Sequence, residues 1–414
     1  MTNILVVTKR FYPPWSDGTV SYAKGFVESV LEAGQSREDL KVTVLSLTDK
    51  WFYKLHRDEL KEYLKEKPID FKCFYSGKRS SKIDVLRLLK KLSRDSSYQL
   101  LHIIYDALDP ISIRLRTHLT KESSVIKHVL IYPVHTMFNA QKAILRFLEK
   151  SNLLNMINVK FSVSSDILRK LYGLREAIVI PPAIDTELYK PINTKCLNSD
   201  TTVKILSKAK IRFGDLKSVL SRDILVLYMG PLVPERFNSK NILKSISNLK
   251  KEFSIDIGLM AVGRGFEETD HMRELRHFAK KYNLDGRVFF CLRNLTEKEK
   301  MHLLNEASIF IDLFQPKLTH ASVVFPPLVL LESMSVSKAV VAGGLPYLDT
   351  LIRNYENGIL IKNVVDEKAI VNGIWNAIIN MEKLSKNART TITSRYSIKE
   401  VSKTYLKFLN TYEV

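Results

Sequence analysis

The stretch VVFPPLVLLESMSVSKAVVAGG, residues 323–344, joins a helix to a strand. Pro326 and Pro327 suit the first turn of a helix, where no backbone N–H is needed. The apolar run LVLLESMS from Leu328 then predicts a mostly buried helix. KAVVAGG (338–344) predicts a short buried strand that ends in two glycines. A buried helix feeding a buried strand is half of a βαβ unit. One carboxylate, Glu332, interrupts the apolar run, and its presence needs a reason.

The same alternation repeats on both sides of this stretch. Toward the N-terminus, strands are predicted at 3–8, 41–47, 100–105, 127–132, 160–163 and 177–181. Helices are predicted between them, at 19–33, 82–94, 139–150 and 165–172. A second series of strands follows at 224–230, 255–263, 287–291, 308–314, 338–344 and 358–361. Residues 190–222 lack a clear period and read as a connection. The tail 397–412 carries apolar residues at helical spacing and predicts a closing helix. Alternating strands and helices imply parallel sheets in two doubly wound α/β domains. The expected division is 1–190, a connection at 191–222, 223–395, and a closing helix at 396–414.

The 414 residues suit two or three domains, and a 45% hydrophobic content can fill their cores. Cys73, Cys196 and Cys291 lie far apart without C-x-x-C spacing, which argues against a disulfide framework or zinc site and for a reducing compartment. The N-terminus MTNILVVTKRFYPP reads as a first strand rather than a signal peptide. No apolar run approaches the roughly 18 residues of a membrane span. The net charge of +20 points to an anionic partner: nucleic acid, an acidic membrane face or a phosphorylated substrate. No zinc finger, RNA-recognition signature or basic-aromatic platform accompanies it, so no specific nucleic-acid partner is expected.

In doubly wound sheets ligands bind beyond the carboxyl ends of the strands, so residues just after strands are the candidates. Asp17-Gly18 in FYPPWSDGTVSYAKGF opens a helix, either as an anion or sugar site or as a tight turn. In VLIYPVHT, His135 stands at the end of a predicted strand, as a ligand contact or as a capping residue, whereas His102 inside LLHIIY reads as structural. In VLYMGPLVPERFNSK, Gly230 allows a sharp exit, and Arg236 with Lys240 suits a diphosphate or a solvated basic loop. Gly263 in MAVGRGFEETD belongs to a single G-x-G, which is weak evidence for a nucleotide loop. Gly343 and Gly344 precede a predicted helix whose N-terminus could receive a phosphate. Glu332 can accept hydrogen bonds from a ribose diol, or simply face solvent.

In order along the chain, these segments resemble glycosyltransferase family 4, retaining enzymes of the GT-B fold. FYPPWSDGTVSYAKGF resembles the family's N-terminal loop, and VSSDILRKLYG with IVIPPAIDTELYKP the end of its first domain. ILVLYMGPLVPERF, LMAVGRG, RVFFCLRNLTEKEKMHLLNEASIFIDL, VVFPPLVLLESMSVSKAVVAGG and YSIKEVSKTYLKFLNTY follow at the expected distances. The resemblance implies two Rossmann-like domains facing across a cleft. It also implies metal-free transfer of a hexose from a nucleotide sugar, with no bound cofactor. Glu332 matches the Glu that binds the donor ribose, Arg236 the diphosphate cation, and His135 the first-domain His that contacts the sugar. Gly18 matches the loop glycine near the donor phosphate and acceptor, and the backbone around Leu292 and Arg293 is expected to meet the base. The loop that includes Phe325, Pro326, Pro327 and Leu328 is expected to face the sugar. Two positions depart from the pattern: Val324 replaces the first Glu of the paired-glutamate motif, and Pro231 replaces the first diphosphate Arg. Lys240 is expected to supply the missing cation.

The segment GKRSSKIDVLRLLKKLSR, 77–94, predicts a basic amphipathic helix that either packs on the first sheet or also docks on an anionic membrane. Docking suits a lipid-linked glycan acceptor and a peripheral place on the cytoplasmic membrane face.

Overall fold

In the computed structural model, the described residues are 2–8, 11–15, 18–35, 40–48, 50–75, 98–104, 128–132, 159–163, 169, 178–192, 199–234, 236–263, 270–314, 327–345 and 348–411. The predicted helices at 82–94 and 139–150, nearly all of 165–172, and the basic segment 77–94 lie outside them. Met1–Ala183 and Tyr396–Val414 form one compact unit, and Ile184–Ala321 with Pro326–Arg395 form the other.

The first unit is built from β1 (Thr2–Thr8), α1 (Gly18–Gln35), β2 (Leu40–Thr48), α2 (Lys50–Lys65), β3 (Ile69–Tyr75), β4 (Tyr98–Ile104), β5 (His128–Tyr132), β6 (Val159–Val163) and β7 (Ile178–Val179). Its sheet runs in the order β3-β2-β1-β4-β5-β6-β7, and every pairing is parallel. Ile4, Leu5, Val6 and Val7 are all buried, as expected of a strand covered on both faces. α2 and β3 are additions to the predicted set. α2 is dense in charge and β3 (IDFKCFY) mixes charge with aromatics, so neither shows a clean apolar period.

The second unit begins with α3 (Ser199–Ser207), β8 (Ile211–Phe213) and α4 (Leu216–Leu220). It continues with β9 (Ile224–Met229), α5 (Ser239–Phe253), β10 (Ile257–Gly263), α6 (Asp270–Lys281), β11 (Val288–Leu292), α7 (Glu297–Glu306) and β12 (Ile309–Leu313). It closes with α8 (Leu328–Ser335), β13 (Ala339–Gly343), β14 (Ile359–Ile361), α9 (Glu367–Ile379) and α10 (Met381–Arg395). The sheet order is β14-β13-β12-β9-β10-β11-β8. Apart from β8 this repeats the first sheet's winding, and the order reverses between β9 and β12.

Residues 199–220 therefore correct the expectation of an irregular connection. β8 pairs antiparallel with β11 and forms the edge of the second sheet. Its three residues, and the five of α4, are too short to show a period. Local chemistry makes them: Gly214 takes φ +94, where a Cβ would lie 2.0 Å from the Val288 carbonyl oxygen. Asp215 then caps α4 by accepting from the N–H groups of Lys217 and Ser218.

The tail forms α11 (Ile398–Thr411), close to the predicted 397–412, and packs on α1 within the first unit. His102 of β4 and Tyr405 of α11 are buried and hydrogen-bonded to each other. Burial pushes the His102 imidazole down to about 3, so it is neutral at physiological pH. Among the described residues no helix is long and apolar enough to cross a membrane.

Candidate functional site

Several candidates sit where the second sheet changes winding, at the carboxyl ends of β9 and β12. Gly230 leaves β9 with its N–H donating to the Val262 carbonyl at 3.1 Å. The Tyr228 hydroxyl donates to the Pro231 carbonyl at 2.8 Å and lies 2.8 Å from where a Gly230 Cβ would be. The turn is thus locked from beneath by Tyr228, and Pro231 is part of that lock. The loop then returns Arg236 to the sheet, its guanidinium 4.6 Å above the Phe314 ring. Arg236 Nε is buried without a hydrogen-bond partner.

Asp312 shares a β12 face with Phe314, while Ile309, Ile311 and Leu313 point into the core on the other side. It is 4% exposed. Burial pushes its carboxyl up to about 6, against the pull of the Arg236 charge. Sequence reasoning missed Asp312; a lone acid in the apolar strand IFIDL was the available signal. Lys240 is exposed on the first turn of α5.

Glu332 lies on α8, whose first bonds run from the Leu330 and Leu331 N–H groups to the Pro327 carbonyl, at 2.9 and 3.3 Å. Leu328 is buried at the helix start. Glu332 does not face solvent, being 3% exposed. Lys300 Nζ of α7 donates to its Oε1 at 2.6 Å, and Oε2 is buried without a partner. Lys300 Nζ also sits 5.2 Å over the Tyr189 ring. Burial, then the Glu332 charge, push the Tyr189 hydroxyl well above its usual range. The Tyr189 carbonyl accepts from Ser335 Oγ at 2.6 Å and from Arg389 Nη1 at 2.7 Å. Arg389 also reaches the carbonyls of Ser335 at 2.7 Å and Thr186 at 3.0 Å. Nothing local in the sequence marks Lys300, Tyr189 or Arg389, because each acts across a long sequence separation.

Gly263, Gly343 and Gly344 are closely packed within the second unit. At Gly263 a Cβ would lie 2.6 Å from Leu232 Cγ and 2.8 Å from Leu292 Cδ2. The Gly263 carbonyl accepts from the Arg293 N–H at 2.7 Å. Leu292 is buried, and the Arg293 side chain is paired with Glu299, leaving its Nη1 buried without a partner. A Cβ at Gly343 would meet the Ile361 carbonyl oxygen at 2.3 Å. Gly344 takes φ +81, and a Cβ there would sit 1.8 Å from the Phe314 carbonyl oxygen. The helix expected after Gly344 is a three-residue 3-10 turn, Leu348–Thr350. It ends where Ile352 N–H bonds back to Leu348 and Arg353 N–H donates to Asn357 Oδ1, so among the described residues no full helix N-terminus follows Gly344. In the first unit Gly18 is the first residue of α1, with open space where a Cβ would be. His135, Val324, Phe325 and Pro326 lie outside the described residues.

Among solved structures, a glycosyltransferase from Rickettsia africae ESF-5 aligns over 100% of this chain and 98% of its own, with a TM-score of 0.70 at 13% identity. Anabaena Alr3699/HepE, in complex with UDP and glucose, aligns over 99% of this chain and 100% of its own, with a TM-score of 0.68 at 15% identity. The fold is of the GT-B class. Alpha-1,3/1,6-mannosyltransferase ALG2 of Dictyostelium discoideum is 29% identical over 135 residues. That match covers 32% of this chain and 30% of the relative. Residues 216–392 match the model of the family described as glycosyl transferases group 1, and this span includes Gly230, Arg236, Lys300, Glu332 and Gly344.

Proposed function

We propose that the chain is a retaining hexosyltransferase of glycosyltransferase family 4, taking its sugar from UDP- or GDP-hexose. The observation that carries this reading is the Glu332 carboxylate. It is buried in the second unit with one oxygen, Oε2, unpartnered. An unpaired buried acceptor is costly, and a ribose diol supplies the donors that would satisfy it. Arg236, with its unpartnered Nε, is the cation for the donor diphosphate, aided by Lys240. In the reaction the bond from the anomeric carbon to the diphosphate oxygen breaks. A bond from that carbon to an acceptor hydroxyl oxygen forms, and the hydroxyl proton is released. Arg236 stabilises the charge that develops on the departing diphosphate. The backbone after β11, around Leu292 and Arg293, meets the base, and the loop through Pro327 and Leu328 faces the sugar. The resemblance adds Gly18 and His135 as contacts of phosphate and sugar. The acceptor in this reading is a lipid-linked or surface-glycan precursor, reached from the cytoplasmic membrane face through the basic segment 77–94.

A thermal-shift screen of nucleotide sugars tests the donor: one sugar nucleotide should raise the melting temperature well above the others. No shift with any nucleotide sugar or nucleoside diphosphate would remove the reading.

A second reading is a donor- or glycan-binding protein without catalysis, favoured by Val324 and Pro231 at two motif positions. A donor that binds yet releases no nucleoside diphosphate with any offered acceptor would select it.

A further inference from the structure

We propose that Asp312 is a positioning residue for Arg236: an internal counter-charge that a bound diphosphate displaces, so that donor binding draws a proton onto its carboxyl. The inference rests on the reading of Arg236 as the cation for the donor diphosphate.

A carboxyl on β12 needs a reason. The other residues of Ile309–Leu313 are apolar, and the whole strand is buried. An apolar side chain would serve such a strand better, unless the acid answers a charge. Arg236 supplies one. Its guanidinium lies 4.6 Å above the Phe314 ring, and Phe314 follows Asp312 by two residues on the same face. The ring is a fixed platform. The Phe314 N–H donates to the Gly343 carbonyl at 3.1 Å, and Gly344 crowds the Phe314 carbonyl. The arginine is fixed from its own side by a turn. The Arg236 and Phe237 N–H groups both donate to the Val233 carbonyl, at 3.0 and 2.9 Å, and Phe237 is buried. Arg236 as a whole is half-buried, so it is held without being sealed.

The surroundings isolate this interaction. Ala342, the register partner of Asp312 on β13, carries no charge. Glu332 of α8 is paired with Lys300 of α7, and Arg389 of α10 is bonded to the carbonyls of Thr186, Tyr189 and Ser335. Among the described residues Arg236 is the charge that acts on Asp312. Two forces therefore oppose each other at the carboxyl. Burial favours the neutral acid, and the guanidinium favours the carboxylate. The balance leaves the group at about 6, so it is mostly ionised at neutral pH. A diphosphate on Arg236 cancels the pull of the guanidinium and brings like charge of its own. Burial is then unopposed, and the carboxyl takes a proton from solvent.

Isothermal titration of the full chain with UDP-glucose and GDP-mannose, at neutral pH in two buffers of different ionisation enthalpy, tests this. A diphosphate esterified at both ends lacks the terminal phosphate that would itself titrate near about 6. Whichever donor binds should do so with uptake of a fraction of a proton, up to about one, and several-fold tighter at about pH 6.5 than at about pH 8. In Asp312→Asn the uptake and the pH dependence should both vanish while the donor still binds. A purely structural carboxyl would change the melting temperature and leave proton uptake alone, so undiminished uptake in Asp312→Asn overturns the proposal. Loss of binding in that variant also overturns it, since the neutral amide stands for the protonated, donor-bound form. Should Asp312→Asn not fold, Asp312→Leu, which continues the apolar strand, takes its place with the same expected outcomes. Donor binding without proton uptake in the parent protein overturns the proposal and leaves the donor reading intact. No binding of either sugar nucleotide, nor of UDP or GDP, overturns both.

Discussion

His102 with Tyr405 in the first unit, buried, and Lys300 with Glu332 in the second, part-buried, are polar pairs inside domains of the same winding. They are built to opposite ends. The first is neutral, with each group answering the other, and burial keeps the imidazole uncharged. The second is an ion pair with one carboxylate oxygen left over. A closed pair holds a helix to a strand. An open pair leaves a buried carboxylate oxygen without a donor, at a cost that the fold itself does not recover.

The comparison breaks most severely at Glu332. Glu332→Ala should abolish release of nucleoside diphosphate from the donor. It should also destabilise the protein by about 3–5 kcal/mol, because Lys300 is left buried without its counter-ion. Donor turnover at the parent rate would refute the assignment. Arg236→Ala comes next. Losing a charge-assisted bond of about 1.5–3 kcal/mol should weaken nucleoside diphosphate binding by roughly tenfold or more, read by calorimetry. Unchanged affinity would remove Arg236 from the site.

Tyr405→Phe sharpens the contrast from the other side. It orphans the buried His102 nitrogen, at about 1–3 kcal/mol. The melting temperature should fall while donor affinity stays at the parent value. A loss of affinity as large as that of Arg236→Ala would show the first pair to be more than structural.

The last effect is a matter of sign. The unfolded chain protonates His102 near 6.5, whereas the folded chain resists until about 3. Stability from this group is therefore present above 6.5 and is lost as pH falls toward 3, at up to about 1.4 kcal/mol per pH unit. Asp312 runs the other way. Its folded carboxyl holds a proton up to about 6 and its unfolded one only to 3.8, so stability falls as pH rises through that window. Thermal denaturation from pH 4 to 7.5 should show a flatter acid limb in His102→Phe and a steeper one in Asp312→Asn. Identical profiles in the two variants would contradict both shifts.

Much of the fold was legible because buried parallel strands are short apolar runs. β1, β9, β10 and β13 declare themselves in ILVV, ILVLYM, IGLMAVG and AVVAG. α2, β3 and the β8 edge were not legible, since charge density or brevity erases the period. Within the site, Glu332 stood out as a carboxylate in an apolar helix. Its partner did not: Lys300 is one of several charges in EKEKMHLLNE, and only the packing of α7 against α8 distinguishes it. Gly343 and Gly344 were visible as a glycine pair, but their reason, the carbonyls of Ile361 and Phe314, lies elsewhere in the chain.

The helix α11 has a consequence for how the protein is made. It belongs to the first unit, yet Tyr405 follows its partner His102 by 303 residues. During synthesis β4 is translated long before the helix that satisfies its histidine. Chain segments generally fold as domains while they emerge. Here the domain begun first is the last to be completed, and the whole second unit is translated before the first can close.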